Sequence, residues 1–460
     1  MKHHFLQTAI VVLGVSTLTS AALAAVSAEE AKQLGTTLTP LGGEMAGNKE
    51  GTIPAYTGGL KALPAGIKPA PDGRLANLFP NEKPLFSIDA KNMAQHADKL
   101  AESVQAMMKK YPTFRIDVYP SHRTAAASDV VYKATLANAT KATVDPSGDG
   151  IDGARMGVPF PIPKNGYEVM FNYILRPKRP YERRVIESYT VDATGTRTLV
   201  VRNDMFAEAP WSDPSRVDEV IKTGMYQTYR VPGVAPARQV GNDALAGYCM
   251  DFRKCDVTTY IYTPGQRRVR LAPELKYDTP ITTFGGTVTG DEADGAWAGR
   301  MDRFDFKLIG KKEMYVPYNG NEFVFNASVE KKLTPNHPDP ATMRWELHRM
   351  WVVEATLKPG KRHTSSRKRF YFDEDSWAGM IAENWDASGA IYRAGWSFFM
   401  QDYRSAVPLS GLANLKFDFS KNLYVLSSDY ACDVCGLWPL DKLPSPDVMT
   451  PQGMISSGVR

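Results

Sequence analysis

At 460 residues the chain is long enough for one large domain or two to three ordinary ones, and 43% hydrophobic with 23% charged residues exclude intrinsic disorder. A net charge of +5 is too mild at this size to point to nucleic acid. The 32 prolines and 36 glycines call for many turns, which suits a chain of many strands.

Lys2, an apolar run from Phe5 to Leu23 and the small-x-small site Ala22-Leu23-Ala24 predict a signal peptide over residues 1–24, cut before Ala25. A retained anchor is the weaker reading, because Thr, Ser and Gly interrupt the run. No later stretch approaches about 18 consecutive apolar residues. The expectation is a single domain over 25–460, exported to the periplasm and soluble there. No cysteine lies beside the cut, which excludes a lipid-modified N-terminus on this reading.

Residues 25–88 are dense in Gly and Pro and should wrap over a surface rather than build a sheet. From Asp89 to Lys110 the period changes to 3.6. Met93, Ala97, Leu100, Val104 and Met107/Met108 form one stripe, a helix that serves as core or as a lid. Pro120 to Ala142 gives a second, alanine-rich helix. The stretch from Asp145 opens like a calcium loop, with Asp145, Ser147, Asp149 and Gly150, but Met156 stands where the bidentate Glu belongs. A turn with solvated acids is the better reading.

Strand signals dominate from Tyr167: YEVMFNYIL, then a hairpin around Gly195. SDPSRVDEVIKTG is a short helix with Gly224 just past its end. VTTYIYTPGQRRVRLAP is strand, turn and strand, and DFKLIGKKEMYVPYN is another strand. In GAIYRAGWSFFMQDY, Tyr392, Ala394, Trp396, Phe398 and Met400 share a face.

The chain is organised around Thr342 to Trp377. Its first half alternates with a period of two: Trp345, Leu347, Trp351, Val353 and Ala355 on an apolar face, Arg344, Glu346, His348 and Glu354 on a wet one. A basic link, KRHTSSRKR, leads to Phe370-Tyr371-Phe372, stopped by Asp373-Glu374-Asp375. Helices early and antiparallel strands later make the fold class α+β, one large twisted sheet with helices on one face.

Four cysteines allow three pairings. Sequence neighbours favour Cys249 with Cys255 and Cys432 with Cys435, in keeping with an oxidising compartment. The C-x-x-C follows a strand, so a structural clip is preferred to a redox centre, and no further ligands make it a metal site.

Over nearly its whole mature length the sequence resembles the exported bacterial family known as domain of unknown function 1329. The stretches that carry this are GNKEGTIPAYTGG, NEKPLFSI, YTPGQRRVRLAP, FDFKLIGKKEMYVPYN and RWELHRMWVVEATLKPGKRHTSSRKRFYFDEDSW. The resemblance implies a relation to the periplasmic lipoprotein carriers LolA and LolB, hence a curved, incomplete β-barrel with helices covering its concave face. It also implies a role beside a resistance-nodulation-division type exporter and an outer-membrane protein, as in outer-membrane lipoprotein sorting. It brings no agreed functional residues.

Together these readings place Trp345, Leu347, Trp351, Val353, Trp396 and Phe398 around an apolar cavity, with a closed core as the alternative. Lys361, Arg362, Arg367, Lys368 and Arg369 form a basic patch for acidic head groups or a partner, or a solvated loop. The same choice applies to Arg176, Lys178, Arg179, Arg183 and Arg184. The sequence carries no G-x-S-x-G, H-E-x-x-H or G-x-x-x-x-G-K-[ST]. Ser365-Ser366-Arg367-Lys368 matches S-x-x-K, but in a charged link between strands. Catalysis, a metal and a cofactor are therefore not expected. The expected function is carriage of a lipophilic cargo, such as a lipid, acyl chain or lipoprotein; the alternatives are an adaptor between envelope proteins and, more remotely, a hydrolase.

Overall fold

A computed structural model describes residues 25–458 of the chain. The signal peptide expected over residues 1–24 lies outside the described residues. Among the described residues no helix is long and apolar enough to cross a membrane.

The fold is a 17-stranded sheet with helices packed on it. We number its thirteen principal strands β1 Tyr181–Val191, β2 Arg197–Glu208, β3 Met225–Arg230, β4 Asp243–Cys249, β5 Thr258–Thr263, β6 Arg268–Leu271, β7 Phe304–Pro317, β8 Trp345–Leu357, β9 Arg367–Asp373, β10 Gly379–Trp385, β11 Ile391–Ser397, β12 Asn414–Asp418 and β13 Leu423–Asp429. Every neighbouring pair along this path is antiparallel. One run goes from β6 back to β1, the other from β13 back to β7, and β1 pairs with β13 where they meet. No pairing joins β6 to β7 among the described residues, so the sheet stays open.

The principal helices are α1 Glu102–Lys110, α2 Asp129–Ala139, α3 Gly166–Ile174 and α4 Val217–Thr223. Apolar side chains collect in two large clusters. Tyr371 belongs to the one that includes α1, whereas Phe370 and Phe372 belong to the one that includes α3. Successive residues of β9 point to opposite faces. The centre of the sheet is thus covered on both sides.

Several expectations change here for physical reasons. YEVMFNYIL is not a strand but α3. Nearly all its positions are buried, so no polar face reveals a 3.6 period, and its nine residues fall where strand and helix lengths overlap. Asn165 caps it, accepting from the Glu168 amide at 3.0 Å, while Glu168 Oε2 accepts from the Lys164 amide at 2.6 Å. The helix expected from Asp89 to Lys110 is divided into a 3₁₀ segment, Met93–Lys99, and α1, because Leu100 is extended. Helix α1 begins where the buried Glu383 carboxylate accepts the Ser103 amide, a favourable end for a negative charge. The strand that bears Trp396 stops at Ser397, and Met400–Asp402 pairs in a separate two-stranded sheet.

Other expectations hold. The hairpin around Gly195 is β1–β2, and the Pro-Gly turn joins β5 to β6. The short helix is α4, ended by Gly224 at φ 80°. Residues 25–85 hold one single-turn helix, Ala28–Ala31, and otherwise run irregularly, anchored by buried Leu41, Ile53, Leu75 and Leu78. Cys249 is bonded to Cys255 and Cys432 to Cys435.

Candidate functional site

The six residues expected around one cavity do not share one. Trp345, Leu347, Trp396 and Phe398 lie in the cluster with α1, and Val353 in the other, against which the half-buried Trp351 packs. Trp345 meets Trp396 edge-on at 5.4 Å, and Phe323 stacks on Phe398 at 4.4 Å. A Cβ at Gly320 would come within 2.6 Å of the Phe398 ring, which shows how tightly that side chain is enclosed. Trp351 stacks on Trp377 at 6.2 Å and lies beneath the Lys311 ammonium. Two cavities, one beside Arg176 and Asp294 and one beside Tyr277, hold only about 30 and 20 Å³, and none of the six residues lines either. That is room for a water or two, against the hundreds of Å³ a ligand pocket needs. In this conformation the apolar groups form a filled core.

The expected basic patch is also divided. Lys368 is buried and donates to Asp291 at 2.6 Å, so it cannot reach a head group. Arg369 and Arg367 both hold Glu354, at 2.7 and 3.1 Å. Of the five, only Lys361 and Arg362 are exposed. The earlier basic run is paired rather than free: Arg179 is buried on Glu182 and Asp402, Arg184 is on Glu182, and the half-exposed Arg183 is on Asp204. The Asp145 turn is held by arginines instead of standing free, Arg253 on Asp145 and Arg300 on Asp149.

The wet face expected on β8 is buried at Arg344, Glu346 and His348 and half-buried at Glu354. Glu346 and His348 are 0% and 1% exposed. The alternation of polar residues there reflects internal partners, which a period-two pattern cannot distinguish from solvent. Register explains the assembly: Met350 of β8 lies opposite Asp373 of β9. His348, two residues earlier on the same face, therefore falls beside the Asp373-Glu374-Asp375 turn.

Around this point the partners are specific. Glu346 accepts from the His122 amide at 2.8 Å, from Asn319 at 3.0 Å and from Arg344, and it pairs with His348 Nε2 at 3.0 Å. Tyr318 stacks on the His348 ring at 3.6 Å and its hydroxyl donates to Asp373 Oδ2 at 3.2 Å, as does Ser376. Arg123 embraces Asp375 through Nε at 2.7 Å and a terminal nitrogen at 2.6 Å. Glu374 accepts from Lys311 at 2.8 Å and Arg349 at 3.2 Å. The N-terminal segment closes the site. A Cβ at Gly43 would sit 2.6 Å from Asp375 Oδ1, so this position requires glycine, and Arg349 donates to the Ala46 carbonyl at 3.0 Å.

The electrostatics follow from burial. Burial, with the Asp375 charge beside it, pushes the Asp373 carboxyl up to about 7, and the same two causes raise Glu374. Burial also opposes ionisation of Glu346, but the His348 hydrogen bond and the Arg344 charge outweigh it and bring Glu346 down to about 2.

A second buried cluster lies at the other end of β9. Asp291 accepts from Lys368 and Thr289, and pairs with His363 at 3.1 Å. Glu292 accepts from Asn384 at 2.9 Å and lies 3.7 Å from Arg393. Burial resists the charge on Asp291, yet Lys368 and His363 hold its carboxyl well below the usual range. Ser365, of the S-x-x-K match, is buried and bonds Asn384 and Tyr392, while Lys368 is tied to Asp291; the two are not arranged as nucleophile and base.

Pattern alone placed Glu346 and His348 on a solvated face and took Asp373 to Asp375 as a strand stop. The available signal was a Glu-x-His on one strand facing an Asp-x-Asp at the end of the next.

Comparison with known proteins adds the family. Across 419 residues, 90% of each chain, the protein is 38% identical to the Uncharacterized protein PA3922 of Pseudomonas aeruginosa. Among solved structures it is similar to a DUF1329 family protein from Desulfovibrio piger, at 11% identity and a TM-score of 0.43, over 63% of this chain and 97% of that one. It is also similar to the LolA superfamily protein NE2245 from Nitrosomonas europaea, at 12% identity and a TM-score of 0.36, over 63% and 98%. Residues 87–432 match the family described as Protein of unknown function (DUF1329), and the chain belongs to that family.

Proposed function

We propose that the protein is a non-enzymatic carrier of a lipophilic cargo in the periplasm, working with an envelope export system. The observation that carries this reading is the placement of α1 over the sheet. Val104, Met107 and Met108 of α1 are fully buried in the cluster that contains Trp345 and Trp396, and the helix lies on β11, the strand that bears Trp396. Polar ties hold its start: Glu383 on the Ser103 amide, Ser103 Oγ 3.3 Å from Trp396 Nε1, and Arg369 on Glu102 at 2.7 Å. A methionine-bearing helix can exchange its contacts for those of an acyl chain, which gains about 0.8 kcal/mol per CH₂ buried. Because the space beneath is filled, loading requires α1 to lift. The two disulfides suit an oxidising compartment.

The test is lipid extraction and native mass spectrometry on protein purified from its own periplasm, with uptake of a fluorescent fatty acid by the delipidated chain. A carrier yields a bound lipid or takes up the probe, and Trp396→Ala changes the uptake. The filled core favours a second reading, an adaptor that links envelope proteins. That protein would come out empty and take up no probe.

A further inference from the structure

Outside any cargo surface, the charged site between β8 and β9 has an imbalance that its protein partners leave standing. Six carboxylates, Glu44, Glu82, Glu346, Asp373, Glu374 and Asp375, gather in a network whose permanent cations are Arg123, Arg344, Arg349 and Lys311. One atom marks where the deficit falls. Asp373 is 0% exposed, and its Oδ1 is buried without a hydrogen-bond partner, although Oδ2 has two. A buried carboxylate oxygen without a partner is costly.

Next to that oxygen the chemistry is that of a cation site. One ligand atom each of His348, Asp373 and Asp375 lie within 4.8 Å of one another. Around an ion bound at about 2.0–2.2 Å such atoms sit roughly 3–4 Å apart, within reach of small side-chain rotations. His348 Nε2 is committed to Glu346, so the lone pair the ring can offer is that of Nδ1. A histidine ligand whose other nitrogen faces a carboxylate is the usual outer-shell arrangement at metal sites. Arg123 uses one lone pair on each oxygen of Asp375 and leaves another on each. Tyr318 and Ser376 fix Asp373, and the Tyr318 ring fixes His348 by stacking.

We propose that His348, Asp373 and Asp375 bind one divalent transition-metal ion, with Glu346 orienting the histidine from behind. One imidazole with two carboxylates suits a borderline ion such as Zn²⁺ over Ca²⁺ or Mg²⁺, which want more oxygens. The ion would also clamp the N-terminal segment, whose Glu44 and Ala46 carbonyls bind Arg123 and Arg349 in the same network. The other cluster with metal-ligand spacing, Glu187 with Cys432 and Cys435, carries no such proposal, because both sulfurs are in a disulfide.

The experiment uses the full mature chain with its disulfides intact, stripped with EDTA, exchanged into metal-free buffer and titrated calorimetrically with ZnCl₂ alone. Elemental analysis after desalting counts retained ions. The expected results are one Zn²⁺ per chain, a higher melting temperature with Zn²⁺, and at least a hundredfold weaker binding of Ca²⁺. Asp373→Asn keeps an acceptor for Tyr318 and Ser376, and it and His348→Gln should each weaken Zn²⁺ binding at least tenfold with unchanged circular dichroism. Absence of retained Zn²⁺ in the wild type, or undiminished affinity in both variants, overturns the proposal. Should either variant misfold, Co²⁺ added to the wild type decides: visible bands of a nitrogen- and oxygen-ligated ion support the site, and their absence rejects it.

Discussion

Strand β9 carries a buried charged cluster at each end, and the two are built differently. At its start, Lys368 faces Asp291 and Glu292, with His363, Asn384, Thr289 and Arg393 filling the remaining positions; both oxygens of Asp291 have partners. At its end, Asp373 to Asp375 crowd against Glu346, and one oxygen of Asp373 has none. In the first cluster each buried carboxylate faces a cation, as at a structural joint, although Arg393 Nε has no hydrogen-bond partner. The second retains a local excess of carboxylate beside an imidazole. An unmet buried polar group is retained where something other than packing requires it, and for that reason we place the functional candidate at the end of the strand and not at its start.

The contrast is broken most forcefully at Lys368. Lys368→Met removes the cation and leaves Asp291 buried with much of its compensation gone. Urea unfolding should show a loss of about 3–5 kcal/mol. A loss below about 1 kcal/mol would mean that the first cluster is not a structural joint.

Acid should act on the same end. The Asp291 carboxyl is held below its ordinary value in the folded chain, so its stabilising contribution is complete above the unfolded value near 4 and is lost as the pH falls through the folded one. The groups that face it are Lys368, His363 and Thr289, with Glu292 and Arg393 nearby. In metal-free buffer, thermal melts of the wild type should therefore fall steeply below about pH 4, and those of Asp291→Asn should start lower and lose part of that slope. Parallel curves would remove Asp291 as a source of the acid sensitivity.

A milder substitution sharpens the other side. Asp373→Asn, in EDTA, replaces a carboxyl group that lacks a partner on one oxygen and preserves an acceptor for Tyr318 and Ser376. Its unfolding free energy should lie within about 1 kcal/mol of the wild type. A loss near that of Lys368→Met would erase the distinction between the two clusters.

The parts of this architecture that the sequence revealed are those governed by local pattern. The β1–β2 hairpin declares itself by alternation around Gly195, α4 by its C-terminal glycine, and both disulfides by short spacing. Helix α3 does not, because burial on every side removes the amphipathic signal. The charged site is hidden for another reason. Glu346 and His348 alternate with apolar residues as a solvated face would, and the partner that fixes Asp375, Arg123, is 252 residues away in sequence. The basic link misleads similarly: five like charges read as one patch, but the strand that begins at Arg367 turns Lys368 inward to Asp291 and sets Arg367 and Arg369 on Glu354.

What remains of that patch gives the smallest expected effect and separates its two halves. The Lys361 side chain is 47% exposed with Asp302 3.8 Å away, and Arg362 is exposed and contributes its backbone carbonyl to Arg303. The double reversal Lys361→Glu with Arg362→Glu should therefore change unfolding free energy by less than about 0.5 kcal/mol, in contrast to Lys368→Met. If this end of the link meets acidic head groups, each contact contributes about 1 kcal/mol near an anionic surface. Cosedimentation with phosphatidylglycerol vesicles should then weaken roughly tenfold or more in the variant, and added salt should weaken the wild type in the same direction, since exposed charges are screened within about 10 Å at 0.1 M. Equal sedimentation of the two proteins would reduce Lys361 and Arg362 to solvated loop residues and leave the link the internal pairings of Arg367, Lys368 and Arg369.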